Sequence, residues 1–252
     1  NDFGRLILNG STSQIQQVLV HLINNAKDAI AAHAQNPVQF PSTQAAYHAF
    51  QAMSERTEIE RRDKAMFAFV VMTGARAGAV ASFRLKHINL IDGHVFQKGG
   101  EVKTKNNKTF TTWFFPMHSD YLRCFTAWVN YLRHDKMYGP EDALFPKPQR
   151  RLVNGKFNFD ALSGDIYANA SQVNKVFKRA FMQVQLPAYT PHSIRKTLGQ
   201  EMSDRNLPLD AQKAWSQNLG HENFVTTVSS YLPVDDRRQG ELMKALKNDE
   251  ED

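Results

Sequence analysis

Thr190-Pro191-His192-Ser193-Ile194-Arg195 opens a helix and charges its first turn. Thr190 can cap the free N–H groups, and Pro191 suits the first helical position, where a missing donor is harmless. His192 and Arg195 stand three apart and so share a face. Ile194 and Leu198, four apart on a neighbouring face, can anchor the helix in a core. A helix N-terminus already favours an anion through its unpaired N–H groups and its dipole. An imidazole and a guanidinium added there make a phosphate clamp. Taken alone, the same spacing fits two polar residues on an ordinary amphipathic helix, so the surrounding sequence has to decide.

Downstream, Leu219-Gly220-His221 brings a second imidazole, and Tyr231 follows His221 by ten residues. Upstream, Thr73-Gly74-Ala75-Arg76 brings a second guanidinium, followed by Phe83-Arg84-Leu85-Lys86-His87-Ile88. Between them, Val102-Lys103-Thr104-Lys105-Asn106-Asn107-Lys108 sets lysines around an Asn-Asn turn. A tyrosine hydroxyl that attacks a phosphodiester without a metal needs such a set: cations on the non-bridging oxygens and proton carriers on either side.

These elements, in this order, resemble the conserved boxes of the tyrosine recombinases (phage-integrase family) over roughly residues 38–247. The resemblance implies an α+β, mainly α, DNA breaking-rejoining catalytic fold with a small three-stranded antiparallel sheet. It implies an enzyme, a site-specific recombinase or integrase that cleaves and rejoins DNA through a covalent 3′-phosphotyrosine, with no metal and no ATP. Tyr231 would be the nucleophile, and Arg76 and Arg195 would grip the non-bridging oxygens bidentately, which lysine does less well. His192 would assist proton transfer at the tyrosine, and His221 would hydrogen-bond the phosphate. The leaving 5′-oxygen would take its proton from a hairpin lysine. Lys105 best matches the lysine-turn-lysine pattern; Lys103 is the second choice, and a solvated strand lysine is the plain reading of either.

Two positions depart from the family pattern. An acidic residue commonly lies three after the first-box arginine, where this chain has Ala79, and a histidine commonly follows the second-box arginine, where it has Lys196. Neither supplies the nucleophile or the clamp. Ala79 removes support for Arg76, and a non-catalytic DNA-binding remnant of an integrase is the alternative reading.

Turn and cap signals order the rest. Helices are expected over 13–34, 43–54 (capped by Ser42 or Thr43), 58–72, about 76–85, from Ser119, from Ser171, and over 210–219, 223–231 and 235–247. Strands are expected at His94 to Gln97, Glu101 to Lys105 and Thr109 to Phe115, with a loop over 139–169. Domain boundaries follow: an N-terminal helical appendage over 1–37 and a catalytic domain over 38–252. The appendage is too short for the core-binding domain that integrases usually carry. Its stretch from Ile15 to Ile30 resembles the asparagine box of histidine-kinase ATPase domains, but the glycine-rich boxes that accompany that motif are absent, which favours a simple amphipathic helix.

Composition sets outer limits. The chain has 252 residues, 42 % of them hydrophobic, and can bury one large core. No apolar run reaches the ~18 residues of a membrane span, and no secretory signal is present. Cys124 is the single cysteine, which excludes a disulfide framework and fits a reducing cytoplasm. The scattered His and Asp show no ligand spacing, so neither metal nor other cofactor is expected. The net charge is +6, and setting aside the four acidic residues Asp249 to Asp252 leaves +10. That permits double-stranded DNA as partner without requiring it. The resemblance implies a tetramer on paired sites. Leu242, Met243 and Leu246 give the helix over 235–247 a stripe suited to a neighbouring protomer or to packing in cis.

Overall fold

The computed structural model describes residues 40–153, 156–205 and 207–221. The appendage over 1–37, Tyr231 and the helices expected over 223–231 and 235–247 lie outside the described residues.

Helix α1 (Thr43–Ala52) is capped by Ser42, whose Oγ accepts from the Ala45 N–H at 3.0 Å. Helix α2 (Glu58–Thr73) starts with a reciprocal capping box between Thr57 and Glu60 and ends at Gly74 in the left-handed region, φ 59°. From Arg62 to Thr73 every residue of α2 is buried, so this helix is the axis of the fold rather than a surface helix with one apolar stripe. Phe67 stacks on Phe177 with centroids 4.7 Å apart, and Phe69 meets Phe83 and Phe145 edge-on at 5.3 and 5.4 Å.

The charged start of α2 is buried as well. Arg62 donates to Asp63 Oδ1 and to the Pro146 carbonyl, and Asp63 Oδ2 accepts from Arg179 at 2.6 Å. Removing one partner from such a group would strand a buried charge, at a cost of about 3–5 kcal/mol.

After Gly74 the chain departs from expectation. Helix α3 covers only Ala77–Val80, not the stretch to Leu85. The Ser82 hydroxyl donates to the Ala79 carbonyl and accepts from the Lys103 N–H, while the Phe83 and Leu85 backbone pairs with residues 142 and 144. A local side-chain bond and a long-range backbone pairing thus replace the last helical turns.

The sheet has three antiparallel strands in the order β1 (Ile88–Asn89), β2 (His94–Gln97) and β3 (Phe110–Trp113). The count is as expected, but the membership differs. Residues 101–105 form no strand: the Val102 N–H bonds back to Lys98, and Thr104 Oγ1 donates to the Lys108 carbonyl. Their bonds are local, and β1 takes the vacant side of β2. The expected loop over 139–169 contains a hairpin, β4 (Pro148–Val153) against β5 (Lys156–Leu162), with a bulge between Gln149 and Arg151.

Helix α4 (Ser119–Asn130) is capped by His118 rather than Ser119, and α5 (Ser171–Met182) packs on α2. Helix α6 (Pro191–Asp204) opens with a Thr190–Ser193 capping box and Pro191 in its first turn, and Ile194 and Leu198 are buried as expected. Helix α7 (Leu209–Asn218) leads into Leu219-Gly220-His221. No described helix is long and apolar enough to cross a membrane.

Candidate active site

Arg195, one turn into α6, is 4 % exposed. Its Nη1 donates to the Gly74 carbonyl at 2.5 Å and its Nη2 to the Leu219 carbonyl at 2.8 Å. Nη2 also lies 3.1 Å from His221 Nε2. A guanidinium can only donate, so Nε2 accepts and the neutral imidazole carries its proton on Nδ1. One side chain therefore joins the end of α2, the start of α6 and the segment after α7.

Gly74 makes the junction possible. Its φ is positive, and a Cβ there would lie 2.6 Å from Leu219 Cδ2. Any other residue would be strained at this positive φ and would have to displace the Leu219 side chain.

Arg76 precedes α3 in an extended conformation and is half-buried. With Arg195 it lines a small cavity of about 10 Å³ that Ala79, Gln97, Thr104 and Thr112 also border. Ala79 is 1 % exposed, so the place of the family's common acidic residue is a methyl against this cavity. The polar groups nearby are neutral: Gln97 Nε2 donates to Thr112 Oγ1 at 2.9 Å, both residues being buried.

Both histidines are held uncharged at neutral pH. Burial, and then the charges of Arg195, Arg76 and Lys108, push His221 down to about 4. His192 is more exposed, and burial followed by Lys196, Arg195 and Arg76 lowers it as well. Lys196, the second departure from the family pattern, thus adds a cation beside His192. Cations crowding neutral rings make a positive site whose proton carriers are in their basic form.

The lysine turn is more exposed. Lys105 begins a 3₁₀ turn (Lys105–Asn107) in which Asn106 and Asn107 both have positive φ, a conformation asparagine tolerates. Lys103 Nζ donates to the Ala168 carbonyl at 2.6 Å. Lys108 is the lysine whose charge weighs on His221. It closes the same Lys-Asn-Asn-Lys pattern, but nothing in the pattern said which end faces the histidine. Glu101 anchors the turn from the other side, with Lys86 at 2.8 Å, Lys98 at 2.6 Å and His87 at 3.3 Å. Those bonds, Lys86 first, push its carboxyl down to about 2.

The structure thus brings together Arg76, Arg195, His192 and His221, and sets Lys105 on the adjoining turn. Among the described residues no group of three or more His, Cys, Asp or Glu side chains could hold a metal ion.

The family model described as "Phage integrase family" matches residues 43–238. The chain belongs to the phage integrase family. Its fold is that of the tyrosine recombinase catalytic domain, as in XerA recombinase (TM-score 0.56, 17 % identity, covering 83 % of this chain and 65 % of that one). The Tn1549 transposon integrase in complex with transposon right end DNA is similar at a TM-score of 0.55 and 14 % identity, over 84 % of this chain and 67 % of the other. XerH recombinase bound to a palindromic difH substrate gives 0.55 and 15 % identity, over 81 % and 51 %. The integrase-family chain thus spans about half to two thirds of the length of these relatives. No curated protein matches it.

Proposed function

We propose that this chain is a site-specific DNA recombinase or integrase acting through a 3′-phosphotyrosine, with Tyr231 as nucleophile. The observation that carries the reading is the convergence of two guanidiniums on two neutral imidazoles around the Arg195 junction. A phosphodiester bound there has its non-bridging oxygens gripped by Arg76 and Arg195 and hydrogen-bonded by His221. Tyr231 attacks phosphorus and passes its proton toward His192. The bond from phosphorus to the 5′-oxygen breaks, and Lys105 protonates that oxygen. The phosphotyrosyl ester conserves the bond energy, so the reverse attack by a 5′-hydroxyl rejoins the strand without ATP. Double-stranded DNA is the partner, bound by a tetramer on paired sites; the XerH and Tn1549 relatives named above are recombinases in complex with DNA. The buried methyl of Ala79 favours the second reading, a remnant that binds DNA without cutting it.

The test is capture of SDS-resistant adducts from a pool of nicked suicide duplexes with a randomised core, followed by sequencing of the captured DNA. The wild-type chain is expected to yield an adduct on one selected site, and Tyr231→Phe to lose it while retaining affinity for that site. An adduct that persists in Tyr231→Phe removes Tyr231 as nucleophile. Salt-dependent binding with no wild-type adduct supports the remnant.

A further inference from the structure

The end of α7 and the two residues after it lie along the outer edge of β3. The Asn218 carboxamide pairs with one peptide unit pattern on β3: Oδ1 accepts from the Trp113 N–H at 2.7 Å and Nδ2 donates to the Trp113 carbonyl at 2.8 Å. One residue back along β3, Thr112 Oγ1 donates to the Asn218 carbonyl at 3.1 Å and itself accepts from Gln97 Nε2. Further along, Gly220 lies against the Phe110 ring, where a Cβ would come within 2.7 Å of Cζ. His221 follows, and Lys108 is among the charges that act on it. Asn218 thus meets Trp113 and Thr112, and Gly220 meets Phe110, so the two segments run in opposite directions.

β3 is the outer strand of its sheet, so its far edge offers backbone groups to whatever comes alongside. A side-chain amide presents the same donor and acceptor as a peptide unit, and Asn218 uses it to complete that edge. Neither the lysine turn nor the third box needs Asn218 for its own shape. The turn is tied to the first box through Glu101 and through Lys103 N–H to Ser82, and α7 is held by Trp215, whose Nε1 donates to the Leu198 carbonyl. What Asn218 fixes is which residue of the third box stands opposite which residue of β3.

We propose that Asn218 is a positioning residue that sets the register of the third box against β3, and so places His221 between Arg195 and the lysine turn. The proposal uses the proposed function only in calling His221 a phosphate ligand; the register itself is a property of the free protein. Loss of that register would carry the Leu219 carbonyl off Arg195 and move His221 with it.

The experiment measures the His221 imidazole titration by NMR in the full chain and, on the selected suicide duplex, single-turnover cleavage. Asn218→Ser shortens the side chain out of reach of Trp113, and Thr112→Val removes the second bond while keeping the shape. In both, His221 is expected to titrate at least about one unit higher than in the wild type, since it leaves burial and three cations behind. Cleavage by Asn218→Ser should fall about tenfold or more with DNA affinity unchanged, and adding Asn218→Ser to His221→Ala should slow that variant no further than about threefold, because the two act as one unit. An unchanged His221 titration in both folded variants, or cleavage losses that multiply, would overturn the proposal. So would loss of the whole fold in both variants, because the role assigned is local. If the wild type forms no adduct, the proposed function fails, while the titration still decides the register.

Discussion

Arg195 and Arg76 bring the same guanidinium to the same site and are held in opposite ways. Arg195 is buried and tied to two backbone carbonyls, whereas Arg76 is half-buried and makes no hydrogen bond among the described residues. The first is part of the framework; the second lines the same small cavity with its donors uncommitted. In the proposed function, a clamp with one fixed and one uncommitted jaw would be preorganised for charge and still accept a phosphate that enters along a DNA backbone.

The contrast is broken most severely by Arg195→Lys. An ammonium cannot span the Gly74 and Leu219 carbonyls, so we expect a loss of about 2–4 kcal/mol in denaturant unfolding together with a fall of about a thousandfold in adduct formation. Arg76→Lys isolates the other jaw: cleavage should drop about a hundredfold while unfolding free energy stays within about 0.5 kcal/mol of wild type. Equal destabilisation by both changes would erase the distinction.

The lysine turn sharpens the comparison, since it is more exposed than either arginine. Lys105→Ala should slow cleavage by about a hundredfold on the normal substrate. A bridging 5′-sulfur, whose thiolate leaves without a proton, should restore most of that rate. Applying the same pair of substrates to Lys103→Ala and Lys108→Ala reads directly which lysine supplies the proton. Selective rescue of Lys108→Ala instead would transfer the role to the lysine whose charge acts on His221.

The smallest effect concerns pH. His221 is depressed to about 4 from the usual 6.5, so it is neutral in folded and unfolded chains alike above neutrality. As the pH falls below 6.5 the unfolded chain takes up the proton first, and stability is lost down to about 4, where the folded ring takes it up as well. Melting temperature against pH should therefore decline less steeply over that interval in His221→Gln than in the wild type. An anion seated in the clamp should raise the His221 pKa, which NMR titration in inorganic phosphate would reveal.

Much of this site was legible because its parts are short motifs with chemical reasons. The cap at Thr190-Pro191, the glycine stop after Thr73 and the four polar residues that the fold brings near one another all carry local sequence signals. What failed was pairing. Asp92-Gly93 and Gly99-Gly100 correctly signalled turns, yet the third strand proved to be Ile88–Asn89, because Val102 and Thr104 satisfy their neighbourhood locally. The β4–β5 hairpin did carry a signal, alternation in Lys156-Phe157-Asn158-Phe159-Asp160-Ala161 after Asn154-Gly155, which the abundance of Pro, Gly and basic residues obscured. Arg195 read as a phosphate ligand only. Its structural bonds reach carbonyls 121 and 24 residues away, and no spacing rule anticipates those. Asn218 had no signature at all, since its role exists only once β3 lies beside it.

Those two carbonyls also bear on safety. Strand cleavage, as proposed above, would be harmful in a half-made chain or a locally opened one. Arg195 leaves its post if either Gly74 or Leu219 moves, so under the proposed function cleavage would require segments from far-separated parts of the sequence to have met. The Arg195 junction is thus a checkpoint that only the completed fold passes.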